Sequence, residues 1–105
     1  MLNQVVLVGR LTEEVKEKNK KGFAIITIAV PRSFKNANGE YETDFIDIKI
    51  NGSLADNTKE YCKKGDLVGI KGRIQTTITK KDNKDIKLTE IIADKITFLS
   101  SKSES

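Results

Sequence analysis

The sequence has no histidine and no tryptophan, a single cysteine (Cys62) and a single proline (Pro31), and its aromatics are two Tyr and four Phe. Without histidine, no Ser-His-Asp or Cys-His nucleophile pair and no imidazole metal site can be assembled. One cysteine closes no intrachain disulfide, and a lone thiolate is no zinc cage. Cys62 therefore reads as a small buried hydrophobe. No unbroken apolar run is longer than Val5-Val6-Leu7-Val8, far short of the ~20 residues of a membrane-spanning helix. The start, MLNQVVLVGRLTEE, has no basic lead, and Gly9-Arg10 interrupts its apolar stretch, so no signal peptide is expected. These absences lead to the expectation of a soluble protein of a reducing, cytoplasmic compartment.

What is present is β-branched and charged. The 105 residues fit one domain, and 13 Ile, 6 Val and 9 Thr favour strands over helices. Charged residues make up 32% of the chain, with 19 Lys+Arg against 15 Asp+Glu, a net charge of +4 and a pI near 9.2. Such an excess suggests an anionic partner.

Five strand-like stretches are expected. The first covers Leu2 to Leu11 and is followed by a charged, solvated linker, Glu13 to Gly22. The second runs from Phe23 to Pro31, and the third from Tyr41 to Asn51 after turn chemistry at Asn36-Ala37-Asn38-Gly39. Ser53-Leu54-Ala55-Asp56 resembles a capping box. Leu54, Thr58, Tyr61 and Cys62 follow at helical spacing, with Gly65 placed to end the helix and Tyr61 expected in the core. The fourth strand covers Leu67 to Lys80; the turn Asp82 to Asp85 leads into the fifth, Ile86 to about Leu99, and residues 100–105 form a polar tail. A shift of apolar phase along the last strand suggests a bulge near Glu90 or Ile91. Strand-strand-strand-helix-strand-strand is the element order of the OB-fold, though other small five-stranded barrels have similar strings; the expected fold is all-β, a five-stranded OB-fold barrel over residues 1–99 with one helix between strands three and four.

Period-two alternation separates core from surface. In strand three, Ile46, Ile48 and Ile50 share one face; Phe45, Asp47 and Lys49 share the other. In strand four, Val68, Ile70, Gly72 and Ile74 face one way and Gly69, Lys71, Arg73 and Gln75 the other. Taken together, the two outward faces offer one ring, three cations and a glycine. An exposed ring among cations suits single-stranded nucleic acid, whose bases stack on the ring while Lys and Arg neutralise phosphates. Equally, Phe45 could cap a satellite cluster amid ordinary surface charge. The 16 Lys to 3 Arg favour phosphate contact over bidentate base readout, hence weak sequence specificity. Lys80, Lys81, Lys84 and Lys87 lie between strands four and five, where OB-folds commonly grip ligands, or else form a solvated hairpin tip. Arg32-Ser33-Phe34-Lys35 repeats the ring-beside-cation theme, but Pro31 breaks the alternation and leaves the facing of Phe34 open.

These stretches resemble the bacterial and phage single-stranded DNA-binding protein family. The resemblance covers residues 1 to 99: MLNQ followed by VVLVGRL; AVPRSFKN (29–36); Gly39-Glu40 with Thr43-Asp44-Phe45-Ile46; Leu54-Ala55, Glu60-Tyr61 and Lys63-Lys64-Gly65; LVGIKGRIQT (67–76); and TEIIAD (89–94). It implies an OB-fold that coats and protects single-stranded DNA in replication, recombination and repair, with no bond made or broken. It also implies a homotetramer, with a dimer as fallback, in which first strands pair between subunits. Of the family's four main stacking positions, Phe34 and Phe45 match, whereas Asn51 and Thr79 stand where relatives carry rings. The flexible tail with an acidic-hydrophobic tip, which recruits partners in relatives, has no counterpart before Ser105, so no tail-mediated recruitment is visible in the sequence. The candidate nucleic-acid contacts are Arg10, Arg32, Phe34, Lys35, Phe45, Lys49, Lys64, Lys71, Arg73, Lys80, Lys81, Lys84 and Lys87; no cofactor and no metal are expected. Three rivals are an OB-fold primosome accessory protein, an OB-fold metal-dependent nuclease and a protein-binding OB module with no affinity for oligonucleotides. The nuclease fits poorly, because Asp44 and Asp47 alternate to opposite faces and Asp82 and Asp85 sit in a turn.

Overall fold

Alternation drives each strand to bury one side, and five such strands close on themselves in the computed structural model, which describes residues 1–101. The elements are β1 (Val5–Leu11), β2 (Phe23–Lys35), β3 (Tyr41–Asn51), α1 (Gly52–Tyr61), β4 (Leu67–Lys81) and β5 (Lys84–Ser100). They form a closed barrel in the order β1-β2-β3-β5-β4. All pairings are antiparallel except the β3–β5 seam, which is parallel at Lys49 and Ile92. Closure leaves the barrel without free edges. The OB order expected from the sequence is the one observed.

The barrel is filled by the inward side chains of all five strands, with Ile28, Ile48, Ile50, Val68 and Ile70 almost wholly buried. Helix α1 closes one end through Ala55 and Thr58, and Leu11, Val15 and Cys62 complete the cluster. Burial, with help from Asp66, pushes the Cys62 thiol above its ordinary range, which makes it an inert packing residue.

Local details differ from expectation for identifiable reasons. The capping box at Ser53 does not form: the helix begins two residues earlier, with Asn51 at the N-cap and no side-chain cap bond. Gly52, at φ +56°, turns the corner from β3 into the helix and places Ser53 inside the first turn. At the other end the Cys62 amide donates to the Thr58 carbonyl, and the helix stops before Gly65. Tyr61 is not core. It lies 70% exposed, because only the Ala55–Thr58–Cys62 side of the short helix faces the barrel. No bulge occurs at Glu90 or Ile91, which pair in register with Gln75 and Ile74. The extra residues in β5 are Asp94, between the pairs Lys71–Lys95 and Gly72–Ala93, and Leu99, between Leu67–Ser100 and Val68–Phe98. Gly72 sits at the first of these kinks, where a Cβ would collide with the Ile92 carbonyl oxygen.

Two hairpins leave the barrel. The β2–β3 hairpin turns at Asn36, whose Oδ1 accepts the amides of Asn38 and Glu40 at 2.9 and 3.0 Å. The β4–β5 hairpin turns at Asp82 and Asn83 alone, both left-handed (φ 54° and 62°), and β5 resumes at Lys84, two residues before the expected start. These arms raise the radius of gyration to 15.3 Å, against ~13 Å for a compact chain of this length. Of the expected tail, Ser100 ends β5, and residues 102–105 lie outside the described residues.

Candidate nucleic-acid interface

The outer wall of β2 and β3 is built from cross-strand pairs: Ile25 with Lys49, Thr27 with Asp47, Ala29 with Phe45, and Pro31 with Thr43. Phe45 stands opposite the small Ala29, so nothing long covers its ring, and it is 69% exposed. It caps no satellite cluster. Phe34, whose facing the sequence left open, is also exposed, beyond the register shift that starts at Pro31. Next to it, Lys35 holds its ammonium 5.8 Å from the Tyr41 ring centroid.

Several cations are already engaged. Arg32 donates to both carboxylate oxygens of Asp44, at 3.1 and 2.9 Å, and reaches Glu42 at 3.5 Å. The hydrogen bond to Asp44 raises the Arg32 pKa above its ordinary value, and the same bond holds the Asp44 carboxyl below the usual carboxylate range. Arg32 thus laces the β2–β3 hairpin together. Lys49 lies 4.1 Å from the Phe23 ring centroid and 3.9 Å from Glu90, tying β3 to β5. Arg73 is ion-paired with Asp94 across β4 and β5. Arg10 folds back to donate to the Gly65 carbonyl at 3.0 Å, and the Lys64 backbone amide donates to Glu14 at 3.3 Å while its side chain stays exposed.

The expectation that the outward faces of β3 and β4 form one surface is corrected by the strand order. β5 lies between them. Lys71 pairs with Val6 on one side and Lys95 on the other, so it belongs to the β1–β4–β5 wall, apart from Phe45. What joins the Phe45 wall is the β4–β5 arm. Lys80, Lys81, Lys84 and Lys87 are all exposed there, and none of their side chains makes an ion pair or hydrogen bond among the described residues. Lys81 and Lys84 share a ribbon face with the pairs Thr79–Ile86 and Thr77–Leu88; Lys80 and Lys87 point the other way.

At the two positions lacking rings, Asn51 is opposite Phe23 and Thr79 is opposite Ile86. Sequence reasoning missed the aliphatic side chains on this side, Ile25 and Leu88, each nearly half exposed. The signal existed for Ile25, which alternates out of phase with buried Ala24, Ile26 and Ile28. Among the described residues no group of three or more His, Cys, Asp or Glu could hold a metal ion.

A five-stranded closed barrel with one helix between β3 and β4 and an exposed aromatic wall is an OB-fold of the ligand-binding type. The profile of the single-strand binding protein family matches residues 2–99, and the chain belongs to that family. It is 43% identical to single-stranded DNA-binding protein B of Bacillus subtilis, over 97% of this chain and 94% of the relative. It is 42% identical to a single-stranded DNA-binding protein 2 of Staphylococcus aureus, over 97% and 75%. In fold it is similar to the Plasmodium falciparum SSB in its complex with ssDNA, with a TM-score of 0.77, 24% identity, and 95% and 96% of the two chains covered.

Proposed function

We propose that residues 1–99 act as one OB-fold domain that binds single-stranded DNA with little regard to sequence, coating exposed strands in replication, recombination and repair. The observation that carries this reading is Phe45, exposed on a wall flanked by a lysine-bearing arm whose side-chain charges no group among the described residues answers. Bases stack on Phe45 and Phe34, and Lys81 and Lys84 take phosphates. The protein acts by occupancy and not by catalysis, as the names of its relatives suggest. The ligand's polymeric charge makes affinity fall with salt.

Copies assemble, in this reading, through the β1–β4–β5 wall, where Val6 and Val8 are 69% and 49% exposed beside Gly69 and Leu99. A homotetramer is the expected state, with a dimer as fallback. Linking several sites raises the effective concentration along one strand. No helix among the described residues is long and apolar enough to cross a membrane, and the proposed setting is the cytoplasm, in contact with the nucleoid. The test is titration of labelled oligo-dT against a duplex of equal length. Binding should be confined largely to the single strand, and equal affinities at moderate salt would end the proposal.

A further inference from the structure

The β2–β3 wall continues from Phe45 into a groove that the ring-based reading does not use. Its jaws are Ile25 on β2 and Leu88 on β5, 47% and 45% exposed, facing each other over about 240 Å³ of open space. Asp47, Lys49 and Glu90 line its polar edge. That volume falls below the ~300–1,000 Å³ of sites for drug-sized ligands and suits one planar ring. Ile25 lies four residues along β2 from Ala29, the partner of Phe45, so the groove is about 13 Å from the stacking position. One extended strand can reach both.

The polar groups at the edge are not equivalent. Lys49 is committed to the Phe23 ring and to Glu90, which also accepts from the Thr77 hydroxyl at 3.4 Å. Asp47 accepts the Thr27 hydroxyl at 2.6 Å on Oδ1 only. Its Oδ2 takes no hydrogen bond among the described residues. The groove therefore offers two aliphatic faces and one free, anionic acceptor. A phosphate would be repelled there. A base edge carrying an exocyclic amino group would be bound, because a carboxylate accepts from such groups and has nothing to donate to a carbonyl.

We propose that this groove is a base-binding subsite in which Ile25 and Leu88 clasp one base and Asp47 selects amino-bearing bases over thymine or uracil. The proposal rests on the single-stranded DNA reading above and adds a modest base preference to otherwise sequence-tolerant binding. Aliphatic jaws at this point also stand in for some of the contact area that Asn51 and Thr79 do not supply.

The experiment compares labelled deoxycytidine and deoxyuridine oligomers of equal length at neutral pH, which differ at the base along one edge, a 4-amino group beside an N3 acceptor against a 4-keto group beside an N3–H. The wild-type protein should bind the cytidine oligomer about three- to tenfold more tightly, the range of a partly solvated charge-assisted hydrogen bond. Asp47→Asn should bring the ratio to one or below without weakening deoxyuridine binding. Leu88→Ala should weaken both oligomers, and because Leu88 lies on the exposed arm and is about half covered, its variant should stay folded and melt only several degrees below the wild type. A ratio near one in the wild type, or one that Asp47→Asn leaves unchanged, overturns the subsite. If both oligomers bind equally and Phe45→Ala weakens both, the subsite falls while the DNA-binding reading stands. If neither oligomer binds, that reading fails and the subsite with it.

Discussion

Replacing Phe45 with Ala separates a stacking residue from a packing residue by two measurements on one variant. The ring is 69% exposed, so about a third of it is covered by protein. Full burial of a Phe side chain stabilises by about 1.5–3 kcal/mol, so the covered third contributes about 0.5–1 kcal/mol. In a chain this size that corresponds to a loss of about 3–6 °C in melting temperature. Binding should respond far more. A base stacked on one ring contributes about 1–3 kcal/mol, so affinity for oligo-dT should fall by roughly five- to 150-fold. The loss should be the same at low and high salt, because no phosphate contact has been removed. Thermal melting by circular dichroism and fluorescence titration at several salt concentrations give both numbers. A variant that melts well below this range yet binds oligo-dT normally would refute the reasoning and make Phe45 a structural residue.

Lys81→Ala and Lys84→Ala should each reduce the slope of log K against log[salt] by about 0.7, the value for one phosphate contact on a single strand, whereas Lys71→Ala, on the other wall, should leave the slope unchanged in the same titrations. In an NMR pH titration the Asp44 carboxyl should protonate below the usual carboxylate range, and in Arg32→Ala its midpoint should return to that range. Because the folded pKa is depressed, the pair's support of the β2–β3 hairpin is complete above the unfolded carboxylate value and is lost as pH falls through the folded one; Arg32 stays charged throughout. Gly72→Ala drives a Cβ into the Ile92 backbone at the β5 kink and should cost about 3 kcal/mol or more in denaturant unfolding.

The parts of this molecule legible in the sequence were those fixed by local alternation and by turn chemistry. Strand Tyr41–Asn51 has the expected bounds, because three core-facing isoleucines alternate with Phe45, Asp47 and Lys49 between an Asn-Gly turn and a glycine corner. The outward position of Phe45 follows from the same pattern. Relations between distant strands were not legible. That Phe45 and Lys71 occupy separate walls depends on β5 inserting between β3 and β4, which no local pattern encodes. The engagement of Arg32 by Asp44 depends on hairpin register across twelve residues of sequence separation. The one bulge expected near Glu90 or Ile91 lies instead at Asp94, because the apolar changes at Ile86 and Leu88 are on the projecting arm, where alternation reports no core, and the second, at Leu99, had no signal in the pattern. Tyr61 has helical spacing with Leu54, but a ten-residue helix capping a small barrel buries a stripe too narrow to include it.

The account's central claim is that single-stranded DNA lies along the β2–β3 wall and the β4–β5 arm. Methyl NMR of isoleucine-, leucine- and valine-labelled protein during an oligo-dT titration tests it most directly, because the apolar residues of the two walls report separately. The account predicts that Ile25, Ile86 and Leu88 shift in proportion to bound DNA while Val6, Val8 and Leu99 keep their positions. Shifts concentrated on Val6, Val8 and Leu99, with Ile25, Ile86 and Leu88 unmoved, would contradict it.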